Sequence, residues 1–281
     1  MEKLNFYDSL RFLLFISFSI DIDDSNLDKD TVIRAAVSGA FNDATMHLLS
    51  VKDDNEKVKL RNQAEELVSN NVIGLITSNG KDFKDKYNEL CINVINVYCE
   101  EKTPELESYL DFFEKRFNRS KSGKLMYFTQ GMAQKFINMT IKNLCIMYHI
   151  FNELKENYAW ENGEIKLPVE LAQNEEEFFA PVDTYTIKAA WNHNDQNGWN
   201  NNKSAKIPMN DNEWEGVKNP KGKQKYGVFS TDKILPWSKW KIFGEKNPYD
   251  DFQSTIISDN TKTRLKWEND AWIKTANEAN K

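Results

Sequence analysis

Between residues 30 and 49 apolar side chains fall at Val32, Ile33, Ala36, Val37, Ala40, Phe41, Ala44, Met46, Leu48 and Leu49. Steps of three and four put these positions on one face of a helix, so the spacing predicts a helix over 30–49. The same period runs through Val58, Leu60, Ala64, Leu67 and Val68 in 56–76, and Ser78-Asn79-Gly80 then supplies a turn. A third helix is predicted over 83–98, with Tyr87, Leu90, Cys91, Val94, Ile95 and Val97 inward. Thr103-Pro104-Glu105 is a good helix start, because Thr can cap free amides and Pro at the first helical position loses no hydrogen bond; it predicts a fourth helix to about residue 117. Two apolar runs follow, 125–128 and 132–151, with Gly131 between them. The second is apolar on more than one side and predicts a central helix.

The stretch 10–20 is the most apolar of all, with Leu13, Leu14, Phe15, Ile16 and Phe18, and is expected to form a buried helix or strand. It falls far short of the roughly 20 residues that cross a bilayer, so no membrane partner is expected. Lys3 and Arg11 give it some likeness to a secretory signal, but Asp21, Asp23 and Asp24 follow instead of a small-residue cleavage site. Beyond residue 158 the pattern weakens, and all eight Trp lie there. Short helices are predicted over 183–191, 249–257 and 263–276, separated by long Asn- and Lys-rich stretches.

Only 7 Pro and 11 Gly in 281 residues argue against a chain of many tight turns, and 40% hydrophobic residues can fill a core. The expectation is an all-α protein of two helical subdomains, residues 1–118 and 119–281, packed as one globule. Cys91, Cys99 and Cys145 are too few for a disulfide framework and suit a reducing, cytoplasmic setting. Neither they nor His47, His149 and His193 have zinc-site spacing, so no metal is expected. Glycine-rich nucleotide loops and a Gly-x-Ser-x-Gly nucleophile turn are also missing from the sequence.

Two segments carry candidate chemistry. Thr129-Gln130-Gly131-Met132-Ala133-Gln134-Lys135-Phe136-Ile137-Asn138 has a turn signal followed by a Lys at the start of an apolar helix. In Ala180-Pro181-Val182-Asp183-Thr184-Tyr185-Thr186, Pro closes an irregular stretch and Asp stands ready to cap a helix. Together they offer an amine and a carboxylate, each near a helix N-terminus. The densest positive patch before residue 200 is 115–124, with Arg116, Arg119, Lys121 and Lys124, and Lys142 adds a cation further along the central helix.

Gly131-x-Ala133-x-Lys135 resembles the hairpin of the helix-hairpin-helix DNA glycosylases, with Ala133 where that pattern has its second Gly. Pro181-Val182-Asp183 resembles the Pro-Val-Asp that carries the essential aspartate of the same superfamily, particularly its 8-oxoguanine members. The resemblance implies an all-α glycosylase-like fold acting on a modified base in DNA. Lys135 would then be the nucleophile that attacks the sugar and forms a Schiff base, allowing strand cleavage after base release. Asp183 would assist departure of the base and stabilise positive charge on the sugar. Gly131, Ala133 and Gln134 would meet a DNA phosphate, with the Arg116, Arg119, Lys121, Lys124 and Lys142 cations supplying the positive field. An extruded base needs aromatic or apolar walls, for which Trp191, Trp199 and Trp237 are candidates. The four-cysteine iron-sulfur loop of some relatives is missing, so no cofactor is expected.

Plainer readings stand beside these. Asp183 can be an ordinary N-cap, Lys135 a surface position, and Gln134 with Asn138 a polar stripe within the core. The net charge of -6 and the Glu175-Glu176-Glu177 run sit less easily with duplex DNA than a basic balance would. The sequence therefore leaves two alternatives open: a non-enzymatic helical protein that binds a protein or nucleic acid, and an enzyme acting on a nucleoside or small nucleotide.

Overall fold

Asn5 opens the first helix, α1 (Phe6–Phe18), by a reciprocal cap: its side chain accepts from the Asp8 amide at 2.9 Å while the Asp8 carboxylate accepts from the Asn5 amide at 3.0 Å. Asp28 does the same work for α2 (Lys29–Thr45), accepting the Thr31 amide at 2.7 Å. α3 (Asp54–Ile76) and α4 (Gly80–Val97) are joined by a turn in which Gly80 adopts φ 53°. The remaining helices are α5 (Gln130–Asn157), α6 (Glu170–Gln173), α7 (Pro248–Ile256) and α8 (Arg264–Ala279). Residues 185–187 and 189–190 are helical as well.

This computed structural model describes residues 5–45, 54–98, 128, 130–158, 160, 165–183, 185–187, 189–190, 248–256 and 262–279. Helix accounts for 78% of the described part, which contains no strand, so the protein is all-α. Among the described residues no helix is long and apolar enough to cross a membrane. The expected helix over 103–117 and the subdomain boundary near residue 118 lie outside the described residues. The compact units are interleaved in sequence: one comprises Met1–Val97 with Phe136–Glu177, the other Tyr98–Lys135 with Phe178–Lys281. Helix α5 therefore gives its first residues to the second unit and the rest to the first.

In the first unit α1 packs on α2, α2 on α3 and α3 on α4. Val32, Ala36, Val37 and Ala40 of α2 are fully buried, as the helical period requires. Phe41 meets Phe136 of α5 edge-on at 5.3 Å, and Asn143 of α5 donates to the Ala36 carbonyl at 3.1 Å. Trp160 stacks on Phe151 at 5.0 Å and donates its indole N–H to the Ile22 carbonyl at 2.9 Å. Burial pushes the thiols of Cys91 and Cys145 up, which suits inert core positions.

Gly80 is the one described glycine with positive φ, and no atom lies within 4 Å of where a Cβ would stand. Gly80→Ala is thus expected to cost about 1 kcal/mol through backbone strain alone, read as a lowered denaturant midpoint with an unchanged slope.

Residues 10–20 depart from expectation. They form a helix, but Leu14 is the buried residue of α1, whereas Phe6, Phe12, Leu13, Phe15 and Ile16 are each more than half exposed. The polar side of the helix is tied down instead. Arg11 pairs with Asp21 at 3.0 Å and with Asp23, and the Tyr7 hydroxyl donates to Asp23 at 2.5 Å. These bonds fix the helix rotation, so the apolar side turns to solvent. Burial and the Asp23 carboxylate push the Tyr7 hydroxyl up to about 12. A group raised in the folded state contributes stability below its unfolded value, near 10, and loses it as pH climbs through the folded value. Stability should therefore fall between about pH 10 and pH 12, and Tyr7→Phe should remove that part of the alkaline titration in denaturant melts.

Candidate active site

The second unit brings the two candidate segments together. Gln130, Met132, Ala133 and Gln134 are all buried at the start of α5, and Lys135 is the first side chain there to reach partly outward, 12% exposed. Opposite it runs the segment 178–183, whose residues up to Val182 are buried. A buried stretch of irregular chain must find partners for its amides and carbonyls. Two glutamines provide them. Gln134 donates to the Val182 carbonyl at 3.1 Å and accepts from the Val182 amide at 3.4 Å. Gln253 of α7 accepts from the Ala180 amide at 2.9 Å and donates to the Ala180 carbonyl at 2.7 Å. Each side-chain amide thus imitates one rung of a β-ladder. Arg264 of α8 reinforces the arrangement, donating to the Phe178 and Gln253 carbonyls at 3.4 Å and lying over the Phe179 ring at 5.4 Å.

Asp183 ends the clamped segment. Its carboxylate accepts from the Thr186 amide at 2.9 Å, while the Thr186 hydroxyl accepts from the Asp183 amide at 2.8 Å. This reciprocal cap starts the helical stretch at Tyr185 and fixes the direction of the carboxylate. The other oxygen, Oδ2, lies 3.8 Å from Nζ of Lys135, and the Asp183 side chain is 13% exposed. Two residues distant in sequence thus form a largely buried ion pair that still touches solvent. Next to Asp183 in the chain, Tyr185 carries a partly exposed ring 5.1 Å from the exposed ring of Trp272 on α8.

Gly131 lies within the first turn of α5 rather than in a turn preceding it. Ala133 and Gln134 have no exposed surface with which to meet a phosphate, because Ala133 is packed inward and the Gln134 amide is taken up by Val182. Lys142 sits half-buried in the part of α5 that belongs to the first unit. Arg116, Arg119, Lys121, Lys124, Trp191, Trp199 and Trp237 lie outside the described residues. No group of His, Cys, Asp or Glu among the described residues could hold a metal ion.

Sequence reasoning missed Gln253, Thr186 and Arg264. For Gln253 a signal existed. Tyr249, Phe252, Gln253 and Ile256 form the buried stripe of α7, and a polar residue at a core position of a helical stripe announces a specific partner.

No family model, no curated protein and no solved structure matches this chain.

Proposed function

We propose that the protein is a DNA glycosylase of the helix-hairpin-helix type, excising a modified base with Lys135 as nucleophile and Asp183 as its carboxylate partner. The observation that carries this reading is the 3.8 Å approach of Lys135 Nζ to Asp183 Oδ2, two residues first paired by the resemblance of their motifs. A nucleophilic amine must be held where it can lose a proton, and a carboxylate beside it can take up charge as the reaction proceeds. In the proposed step the Lys135 ammonium first gives a proton to solvent, the free amine forms a bond to C1′ of the sugar as the C1′–N bond to the base breaks, and the base leaves with the proton that the attacking nitrogen then sheds. Ring opening then gives an imine between Lys135 and the sugar. Asp183 faces the positive charge that develops on the sugar, fixed in direction by its hydrogen bond to Thr186.

The exposed rings of Tyr185 and Trp272, tilted by 56° to one another, put aromatic surface near Asp183 in the chain, on which an unpaired base would stack. Trp272→Ala is expected to weaken binding to abasic or lesion-bearing single strands by about tenfold, measured by fluorescence anisotropy.

Borohydride reduction of a Schiff base makes the adduct permanent, which gives a direct test. Full-length protein incubated with DNA carrying 8-oxoguanine or an abasic site should yield a covalent adduct on a denaturing gel, and Lys135→Ala should abolish it. Trapping that survives the substitution moves the nucleophile elsewhere, and no trapping with any lesion removes the lyase chemistry.

A further inference from the structure

The outward face of α1 is the largest described apolar feature that the proposed chemistry leaves unused. Phe6, Phe12, Leu13, Phe15 and Ile16 are exposed by 54%, 62%, 51%, 57% and 58%. On a helical wheel Phe12 and Ile16 stand at the centre of the stripe, with Phe15 on one flank and Leu13 and Phe6 on the other. The ring of Tyr158, itself partly exposed, extends the stripe beside Phe6 at 5.8 Å. Two polar groups along the stripe already make bonds within the helix. Ser9 donates its hydroxyl to the Asn5 carbonyl, and the Asp8 carboxylate accepts the Asn5 amide.

We infer that this face of α1 is a homodimer contact, covered by the same face of a second copy across a two-fold axis. Area favours a second copy. Five side chains each a little over half exposed present about 500 Å² of apolar surface, so an isologous pair would bury about 1,000 Å², the size at which specific interfaces begin. Charge argues against a lipid surface as the occupant. Helices that lie on anionic membranes border their apolar face with Lys and Arg, whereas the charge within this stripe is Asp8, and Arg11 is already paired with Asp21 and Asp23 on the polar side of the helix. A two-fold pairing also makes a specific demand: the residue at the centre of the stripe must lie next to its own copy.

The experiment is sedimentation equilibrium or size-exclusion with light scattering on the full chain, from about 1 to 100 μM. The expected result is a reversible dimer with a dissociation constant of about micromolar order. Phe12→Asp and Phe12→Lys alone should each weaken association at least about hundredfold, because like charges would meet at the axis. Mixing the two variants one to one should restore a heterodimer. Because Phe12 is exposed, circular dichroism of both variants should match the parent chain. A parent chain that stays monomeric at 100 μM overturns the proposal, as does a dimer indifferent to either substitution. Monomeric protein that floats with phosphatidylcholine vesicles, and loses that ability in Phe12→Asp, would assign the face to lipid and equally overturn it. A monomer in which the Phe12 substitutions lower the melting temperature would assign it to another part of the same chain.

Discussion

Asp183→Asn is expected to slow base release from lesion-bearing DNA about a thousandfold while the protein stays folded. Asn caps a helix as well as Asp does, so the Thr186 amide keeps its acceptor and the helical stretch at Tyr185 keeps its start. Only the charge is removed. The Lys135 ammonium then lacks its opposite partner in a site that is mostly closed to water, a loss of about 1–2 kcal/mol, at the low end for a paired charge because Nζ still touches solvent. Asp183→Ala removes the cap as well and should cost about 1 kcal/mol more. Single-turnover excision and thermal melts on the same samples separate the two roles. If Asn at this position excises as fast as Asp, the carboxylate is a cap and an ion-pair partner and takes no part in chemistry.

The largest expected loss of stability belongs to Gln253, which sequence patterning gave no part in catalysis. Gln253→Ala removes the partner of both the Ala180 amide and the Ala180 carbonyl, groups on a residue with no exposed surface. At about 1–3 kcal/mol for each buried group left unmade, the total is about 3 kcal/mol, seen as a melting temperature lowered by about 6–12 °C. Gln253→Glu is the sharper variant. A carboxylate still accepts the Ala180 amide but turns a bare oxygen toward the Ala180 carbonyl, where the native amide donated. Protonation restores a donor, so this variant should recover stability relative to the parent as pH falls from 7 to 5. A Gln253→Ala protein that melts with the parent would mean that water replaces the clamp and that the segment carrying Asp183 does not depend on it.

The elements that were readable in the sequence are those whose burial is one-sided. α2 and α4 carry unbroken stripes at steps of three and four, and both fold as that period requires. α1 was readable as apolar but not as outward-facing. Its orientation is set by Arg11 reaching Asp21 and Asp23, and a hydrophobic pattern holds no information about where a charged partner will stand. The same limit applies at the site. Lys135 and Asp183 could be singled out from their motifs, and their proximity is a matter of tertiary structure. Gln134 was readable only as a polar residue among apolar ones, compatible with a base contact or a core role. The structure decides for the core role, because a buried stretch of irregular chain nearby needs its backbone satisfied.

Interleaving of the two units gives the ribosome's timetable a bearing on when the Lys135–Asp183 pair can form. Lys135 and Asp183 are both translated well before residue 248, yet Gln253 and Arg264, which hold the approach to Asp183, are made later. A nascent chain halted before α7 would carry every proposed reactive group and still lack the Gln253 and Arg264 clamp on the segment that leads to Asp183. Competence should therefore arrive abruptly, once α7 and α8 have been made, rather than accumulate as the polypeptide lengthens.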